Sequence, residues 1–248
     1  MRQGIGDGQF ITFEGIDGSG KSTQARLLAE RLRADGRDVV LTREPGGSPG
    51  AEEIRQLLLT GNPDRWSAET EILLFTAARR DHLEKTIRPA LDRGAIVICD
   101  RFADSTRVYQ GATRGELRGT VDRLHELMIG QDPDLTFVID MDPRDALERA
   151  KLRMDQQGTL SRLTREMIKT YEANALSRLK QSLAEERGAQ PSEVAAKPED
   201  RYESFGLPFQ ETLRQGFLRL VHEHPRRCVL IDGNRAEEAV ATEIAAHL

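Results

Sequence analysis

The segment Gly15-Ile-Asp-Gly-Ser-Gly-Lys-Ser22 has the residue types and the spacing of a phosphate-binding loop. It follows an apolar run, residues 10–13, and precedes an amphipathic stretch, which is the context that this motif requires. Glycines let backbone N–H groups turn toward phosphate oxygens, and the next helix adds its positive N-terminal end. We expect Lys21 to contact the β- and γ-phosphates and Ser22 to ligate Mg²⁺. The residues predicted to bind the triphosphate are Gly15, Ile16, Asp17, Gly18, Ser19, Gly20, Lys21, Ser22 and Thr23.

A second polar pair, Asp100-Arg101, directly follows the apolar run 95–99. An aspartate at the tip of a strand beside a phosphate loop can hold Mg²⁺ or its water shell. The guanidinium of Arg101 can bind a phosphate through two parallel hydrogen bonds. Alternatively, the pair is a surface ion pair that ends a strand. The chain has neither the Asn-Lys-x-Asp guanine signature nor a Leu-Ser-Gly-Gly segment, which disfavours a GTPase switch and a transporter ATPase.

A third candidate is the loop Thr42-Arg-Glu-Pro-Gly-Gly47, which follows the apolar run 39–41. Its proline and two glycines predict a tight, rigid turn. Arg43 and Glu44 stand at the tip of the predicted strand, and Arg55 lies on the helix that follows. Taken alone, Arg43 is equally well an exposed loop charge, and Arg55 is better explained as part of a solvated helix face.

The elements that must position these residues are five apolar, β-branched runs separated by helical stretches. Continuous apolar strands that alternate with helices indicate a parallel sheet covered on both faces, and ligands of such α/β folds bind at the carboxyl ends of the strands. All three candidate segments begin at such an end. The predicted strands are 10–13, 39–41, 95–99, 135–139 and 228–231, and the predicted helices include 68–92 and 236–246.

Composition restricts the possible classes further. The 248 residues carry 36 basic and 41 acidic side chains, a net charge of −5, so there is no overall attraction to nucleic acid or an anionic membrane. We expect one domain spanning residues 1–248. The N-terminus lacks the apolar core of a signal peptide, and no apolar run is long enough to cross a bilayer. Cys99 and Cys228 lie in predicted strands, so we expect buried thiols and a cytoplasmic setting.

Together these segments resemble the thymidylate kinases, the P-loop nucleoside monophosphate kinases that phosphorylate dTMP. The resemblance runs from about residue 9 to the C-terminus and implies a three-layer α/β/α fold with a five-stranded parallel sheet and a helical lid. The matching motifs are Phe13-Glu-Gly-Ile-Asp-Gly-Ser-Gly-Lys-Ser-Thr23, Thr42-Arg-Glu-Pro-Gly-Gly47, Glu52-Glu-Ile-Arg55, Leu74-Phe-Thr-Ala-Ala-Arg79, Asp100-Arg-Phe-Ala-Asp-Ser-Thr-Arg-Val-Tyr-Gln-Gly111, Asp200-Arg-Tyr-Glu203 and Val229-Leu-Ile-Asp232.

The resemblance implies a second nucleotide pocket that holds thymine. Phe75 is expected to stack on the base, while Arg79 and Gln110 hydrogen-bond its edge. Thr106 lies on the same helical turn as Gln110 and can approach the base or its methyl group. Without the resemblance, Phe75 is better explained as a core residue and Gln110 as a helix surface residue.

The resemblance also implies which residues contact the sugar and the phosphates. Tyr109 is expected against the sugar, where it disfavours a 2′-hydroxyl, and Asp17 is expected at the 3′-hydroxyl or the metal shell. Glu44 is expected to organise the arginines that surround the acceptor phosphate. The remaining implied contacts to the acceptor nucleotide come from Arg43, Arg55, Arg101 and Ser105. Because the acceptor is already an anion, in-line transfer from ATP needs Mg²⁺, Lys21 and arginines rather than a strong general base.

The lid is where the chain departs from the family pattern. We expect Arg149, Arg153 or Arg201 to reach the transferring phosphate, within a lid region of residues 149–203. An insertion at about 155–199 adds roughly forty residues, far more than an ordinary loop, and a helix is predicted at 163–183. It is either a helix that packs on the lid or on a partner, or an addition specific to a lineage. Beyond the fifth strand, Asn234 and Arg235 occupy the expected adenine loop.

Two other functions remain open on the sequence alone. One is a regulatory or binding ATPase that reports its nucleotide state to a protein partner, and the other is a kinase for a different nucleoside monophosphate. The family resemblance also implies a homodimer, formed through helices near the second and third strands.

Overall fold

The computed structural model describes residues 8–59, 66–112, 117–156 and 200–248. Five parallel strands form one sheet in the order β2-β3-β1-β4-β5. Each strand lies within two residues of its predicted bounds, so the predicted parallel sheet is confirmed. The strands are β1 (Gln9–Glu14), β2 (Val39–Arg43), β3 (Ile96–Asp100), β4 (Leu135–Asp140) and β5 (Cys228–Asp232).

Helices connect the strands and cover both faces of the sheet. One turn of π-helix, Leu83–Ile87, joins α3 to α4, so residues 68–92 wind continuously as predicted; a second, His125–Ile129, extends α6. The helices are α1 (Lys21–Ala34), α2 (Pro49–Leu59), α3 (Ala68–His82), α4 (Arg88–Asp92), α5 (Ala103–Ala112), α6 (Arg118–Leu124), α7 (Pro143–Gln156), α8 (Asp200–Glu223) and α9 (Glu237–Ala246).

The alternation of side chains along β1 divides the core into layers. Ile11 and Phe13 face α1 and α9, whereas Phe10 faces the opposite layer and meets Phe102 edge-on, with ring centroids 4.9 Å apart. On that second face, the π-helical turn Leu83–Ile87 and α4 cover the β3 side, and α5, α7 and α8 cover the β4 side. This is the predicted three-layer α/β/α arrangement, and it brings the carboxyl ends of β1, β2 and β3 to one edge.

Cys99 and Cys228 are buried free thiols, as predicted, and burial raises the pKa of Cys228 to about 12. Within the described ranges, no helix combines the length and the apolar character needed to cross a membrane. Almost all of the predicted insertion, including the helix expected at 163–183, lies outside the described residues.

Candidate active site

The phosphate loop, residues 15–22, connects the end of central strand β1 to the start of α1. The Lys21 side chain is buried, and its Nζ donates to the carbonyl oxygen of Ile16 at 2.6 Å. Burial, aided by the nearby Arg101 guanidinium, lowers the pKa of Lys21 to about 8. The Ser19 hydroxyl is also buried, and it has no partner among the described residues. The loop thus holds a buried cation and an unpaired hydroxyl donor.

All three glycines of this loop have positive φ, and Gly18 and Gly20 need it for different reasons. At Gly18 (φ 84°) an added Cβ would lie 2.0 Å from the carbonyl oxygen of Ala146, so the loop packs directly on the backbone of α7. At Gly20 (φ 100°) an added Cβ would meet nothing within 4 Å. The space in front of Gly20 is therefore open, as a cradle for phosphate groups must be.

Ser22 and Asp100 meet at the edge of this cradle. The Ser22 hydroxyl donates to Oδ2 of Asp100, while Oδ1 of Asp100 is buried without a partner in the described structure. An unpaired carboxylate oxygen beside a hydroxyl is a donor set that suits a hard cation such as Mg²⁺. No group of three or more His, Cys, Asp or Glu side chains that could hold a metal occurs among the described residues. Such a sparse donor set matches a cation that keeps water and phosphate ligands.

Arg101 is the central side chain of the site. Its backbone is left-handed (φ 70°), and its guanidinium donates to the carbonyl of Gly15 at 3.3 Å and to the Tyr109 hydroxyl at 3.2 Å. The guanidinium also pairs with Asp17 and lies 5.1 Å from the centre of the Tyr109 ring. Burial opposes ionisation of Asp17, but Arg101 and Lys21 outweigh it, so the pKa of Asp17 is lowered.

Glu14 was not among the residues selected from the sequence. Its buried carboxylate accepts bonds from the backbone N–H of Phe102 at 2.8 Å, from that of Ser105 at 3.2 Å and from the Ser105 hydroxyl at 2.6 Å. The same hydroxyl accepts a bond from Arg101 at 2.9 Å. Burial and the nearby Asp104 raise the pKa of Glu14 to about 7. The sequence signal that could have identified Glu14 is its position, because a charged residue stands between an apolar strand and the phosphate loop.

Two arginines expected to bind the acceptor phosphate, called the phosphate-side arginines below, lie at the sheet edge where β1, β2 and β3 end. Arg43 comes from the start of the 42–47 loop and Arg55 from α2. Arg43 is paired with Glu52 at 3.0 Å, and Arg55 donates to the carbonyl of Pro45 at 2.5 Å. Burial and the Arg43 charge lower the pKa of Arg55, as expected for two cations held close together. Glu44, expected to organise these arginines, contacts other residues instead, and Glu52 holds Arg43.

Glu44 faces the expected base pocket. Its Oε2 accepts from Nε of Arg79 at 2.7 Å, with both side chains 4% exposed. Nη2 of Arg79 donates to the carbonyl of Phe102 at 3.1 Å and to the Thr106 hydroxyl at 3.0 Å. Phe75 lies one turn before Arg79 on α3; it is buried, yet it belongs to none of the three hydrophobic clusters of the described chain.

The helix α5 carries the rest of this pocket. Tyr109 donates its hydroxyl to Asp17 at 3.1 Å, and its ring packs against Phe209 and Phe217 of α8. Gln110 lies one turn after Thr106, but its side chain lies outside the described part of the structure. The structure therefore brings Tyr109 and Thr106 to the site and leaves the role of Gln110 as a prediction.

The expected adenine loop adjoins the phosphate loop. Asn234 accepts from the backbone N–H of Asp142 at 3.2 Å, and Arg235 pairs with Glu243. Arg149 on α7 donates to the carbonyl of Gly233 at 3.3 Å, so it lies beside this loop. The other two expected lid arginines, Arg153 on α7 and Arg201 on α8, have described backbones only.

Comparison with known proteins agrees with this geometry. The family model described as "Thymidylate kinase" matches residues 13–182. The chain is 58% identical over 241 residues to the thymidylate kinase of Dinoroseobacter shibae, with 97% of this chain and 96% of that protein covered. It is 44% identical over 239 residues to that of Caulobacter vibrioides, with 96% and 94% covered. The crystal structure of thymidylate kinase from Ehrlichia chaffeensis superposes with a TM-score of 0.65 at 31% identity, covering 97% of this chain and 98% of that one. The chain therefore belongs to the thymidylate kinase family.

Proposed function

We propose that the two sides of Arg101 hold the two substrates of a dTMP kinase, with ATP on the phosphate loop and dTMP between α3 and α5. Transfer of a phosphoryl group from ATP to dTMP is the activity of the family to which the chain belongs. The observation that carries the assignment of sites is the position of the Arg101 guanidinium, which contacts Asp17 of the phosphate loop and Tyr109 of α5.

On the donor side, the chain provides a buried cation and backbone N–H groups. Lys21 lies where a bound triphosphate would replace the carbonyl of Ile16 as its partner. Ser22 and Asp100 are the residues that would hold Mg²⁺, and that ion would offset phosphate charge during transfer. The open space at Gly20 supports placing the phosphates against the N-terminal end of α1. Asn234 and Arg235 are proposed neighbours of the adenine.

On the acceptor side, the arginines perform the main task. A phosphate oxygen of dTMP is already a nucleophile, so the obstacle is repulsion between two polyanions. Arg43, Arg55 and Arg101 supply positive charge at the edge where β2 and β3 end, and no proton has to be removed from the attacking oxygen. Arg79 and Thr106 present polar atoms toward the base, and Phe75 is proposed to stack on it.

We assign residues 1–248 to one kinase domain, with a lid region at 149–203 that excludes water during transfer. Arg149 is the lid arginine with the best structural support, because its side chain lies at Gly233, beside the adenine loop. We expect the enzyme to work in the cytoplasm.

Homodimerisation is proposed through α3 and the π-helical turn His125–Ile129. Leu73, Leu127 and Met128 are 56%, 74% and 48% exposed, which is unusual for large apolar side chains grouped together. Arg80 of α3 donates to the carbonyl of Met128 at 2.6 Å, so both elements share one surface. Sedimentation of the whole chain tests this assignment; a monomer at high concentration contradicts it.

The first experiment measures ADP release from ATP and Mg²⁺ with dTMP, dUMP, dCMP, dGMP or AMP as acceptor. A strong preference for dTMP is expected. ADP release that is the same with every monophosphate would favour the regulatory ATPase, and a preference for another monophosphate would favour a different kinase. The matched control omits the acceptor, which measures hydrolysis of ATP by water.

A further inference from the structure

His82, the last residue of α3, is a buried polar side chain to which the function proposed above gives no role. It is 0% exposed and precedes the π-helical turn Leu83–Ile87, a kind of distortion that is frequent near functional sites. Both ring nitrogens have partners. Nδ1 lies 3.0 Å from Oε1 of Glu44, and Nε2 lies 2.8 Å from the Thr42 hydroxyl.

These bonds join α3 to the 42–47 loop. The neutral imidazole satisfies both partners when Nδ1–H donates to Glu44 and Nε2 accepts from Thr42. A third bond supports the same junction, because the Thr86 hydroxyl donates to the carbonyl of Gly47 at 2.7 Å. The loop is therefore held from α3 and from the turn that follows it.

The contact with Glu44 continues to the base pocket. Glu44 binds His82 through Oε1 and Arg79 through Oε2, so its carboxylate is fixed at both oxygens. Arg79 then has its Nε and Nη2 occupied by Glu44, the Phe102 carbonyl and Thr106. No described residue accepts a bond from Nη1 of Arg79, which leaves that nitrogen for a ligand.

We propose that His82 is a positioning residue for Arg79: it fixes the Glu44 carboxylate, and through it sets the direction in which Arg79 presents Nη1 to the thymine edge. This inference rests on the proposed dTMP site. It assigns His82 a role in affinity for the acceptor, without contact to either substrate. It also explains why Glu44 lies beside Arg79 rather than beside the phosphate-side arginines.

A purely structural role makes a different prediction. If the imidazole only fills space under the 42–47 loop, a side chain of similar volume should serve as well, and any loss should appear as lower stability or lower kcat. If it positions Arg79, the loss should appear in KM for dTMP and not in KM for ATP. The nitrogen that contacts Glu44 should also matter more than the nitrogen that contacts Thr42.

The test compares three replacements of His82. Asn places a nitrogen near the position of Nδ1 and can retain the bond to Glu44, whereas Gln places one near Nε2 and retains only the bond toward Thr42. Leu removes both bonds at similar volume. Thr42→Val, which removes the hydroxyl from the other side, is the matched control. KM for dTMP, KM for ATP, kcat and the midpoint of thermal unfolding are measured for each.

We expect His82→Gln and His82→Leu to raise KM for dTMP about 10-fold or more, the effect of losing one hydrogen bond to a charged partner. KM for ATP should stay within about twofold, and His82→Asn and Thr42→Val should stay close to the wild type on both measures. If His82→Leu does not fold, the comparison of Gln with Asn still decides. Equal KM values for dTMP in the Gln and Asn variants would overturn the inference. A wild-type chain that does not phosphorylate dTMP would overturn the proposed function itself.

Discussion

Replacing Gly18 and Gly20 separately by alanine should divide the phosphate loop into a part that maintains the fold and a part that binds the ligand. Both residues have positive φ, which costs an alanine about 1–2 kcal/mol. For Gly20→Ala that is the whole expected loss of stability, because the new methyl group meets nothing within 4 Å. For Gly18→Ala the methyl group would lie 2.0 Å from a backbone oxygen of α7, and the loop or the helix must move.

The energetic difference between the two variants can be estimated. Forcing an extra methyl group into a packed site costs about 1–3 kcal/mol beyond the backbone term, so Gly18→Ala should lose on the order of 3 kcal/mol of unfolding free energy. Gly20→Ala should lose about half as much. The affinity of Gly20→Ala for ATP should nonetheless fall about 10-fold or more, because the new methyl group enters the space proposed for the phosphates.

Urea unfolding followed by circular dichroism measures the first quantity, and calorimetric titration with ATP measures the second. Wild-type chain in the same buffers is the control for both. Equal stability of the two variants would refute the packing of the loop on α7. ATP affinity unchanged in Gly20→Ala would refute the assignment of the open space to phosphates.

Three further predictions address other parts of the site. Phe75→Ala should raise KM for dTMP about 5- to 150-fold, equivalent to about 1–3 kcal/mol of lost stacking, and leave KM for ATP unchanged. Phe75→Leu is the control for side-chain volume. An unchanged KM for dTMP in the alanine variant would exclude the stacking role. Glu14→Gln should flatten the dependence of stability on pH. Burial raises the pKa of Glu14 from 4.5 to about 7, so the folded chain binds this proton more tightly than the unfolded chain does. In the wild type, the free energy of unfolding should therefore fall as pH rises between these two pKa values. The contribution of this group is up to about 3 kcal/mol, and unfolding curves with the same slope against pH in both proteins would show that Glu14 is ionised throughout. Ser22→Ala should raise the Mg²⁺ concentration needed for half-maximal ADP release, whereas Ser22→Thr, which keeps the hydroxyl, should not; equal Mg²⁺ requirements in the two variants would exclude Ser22 as a ligand.

Much of the fold was predictable because its signals are local. Five apolar runs, each followed by polar residues, were sufficient to predict a parallel sheet covered on both faces, and all five strands form within two residues of the predicted bounds. The order of the strands depends on contacts between distant segments, for example the pairing of β1 with β3 and β4. No local pattern carries that information.

The site shows the same division. The glycines, the lysine and the serine of the phosphate loop form one contiguous motif, so their grouping followed from spacing. The partners of Glu44 could not be predicted from spacing, because Arg79 and His82 lie on α3, 35 and 38 residues away in the chain. A single histidine on a helix has no spacing signature, and Glu14 is the last residue of a strand whose interior is mostly apolar. Glu14 acquires its partners only when β1 packs beside the start of α5, and His82 acquires its partners only when α3 packs against the 42–47 loop.

The left-handed backbone of Arg101 has a consequence for how this position tolerates change. A non-glycine residue at φ 70° stores strain, and glycine or asparagine would adopt this conformation more readily. The arginine side chain outweighs that strain, because its guanidinium donates to Gly15, Ser105 and Tyr109 and pairs with Asp17. Each hydrogen bond of a charged group contributes about 1.5–3 kcal/mol, whereas relief of the backbone would return only about 1–2 kcal/mol. Arg101→Gly and Arg101→Asn should therefore lower the stability of the fold, and a design rule that considers φ alone would mislead an engineer at position 101.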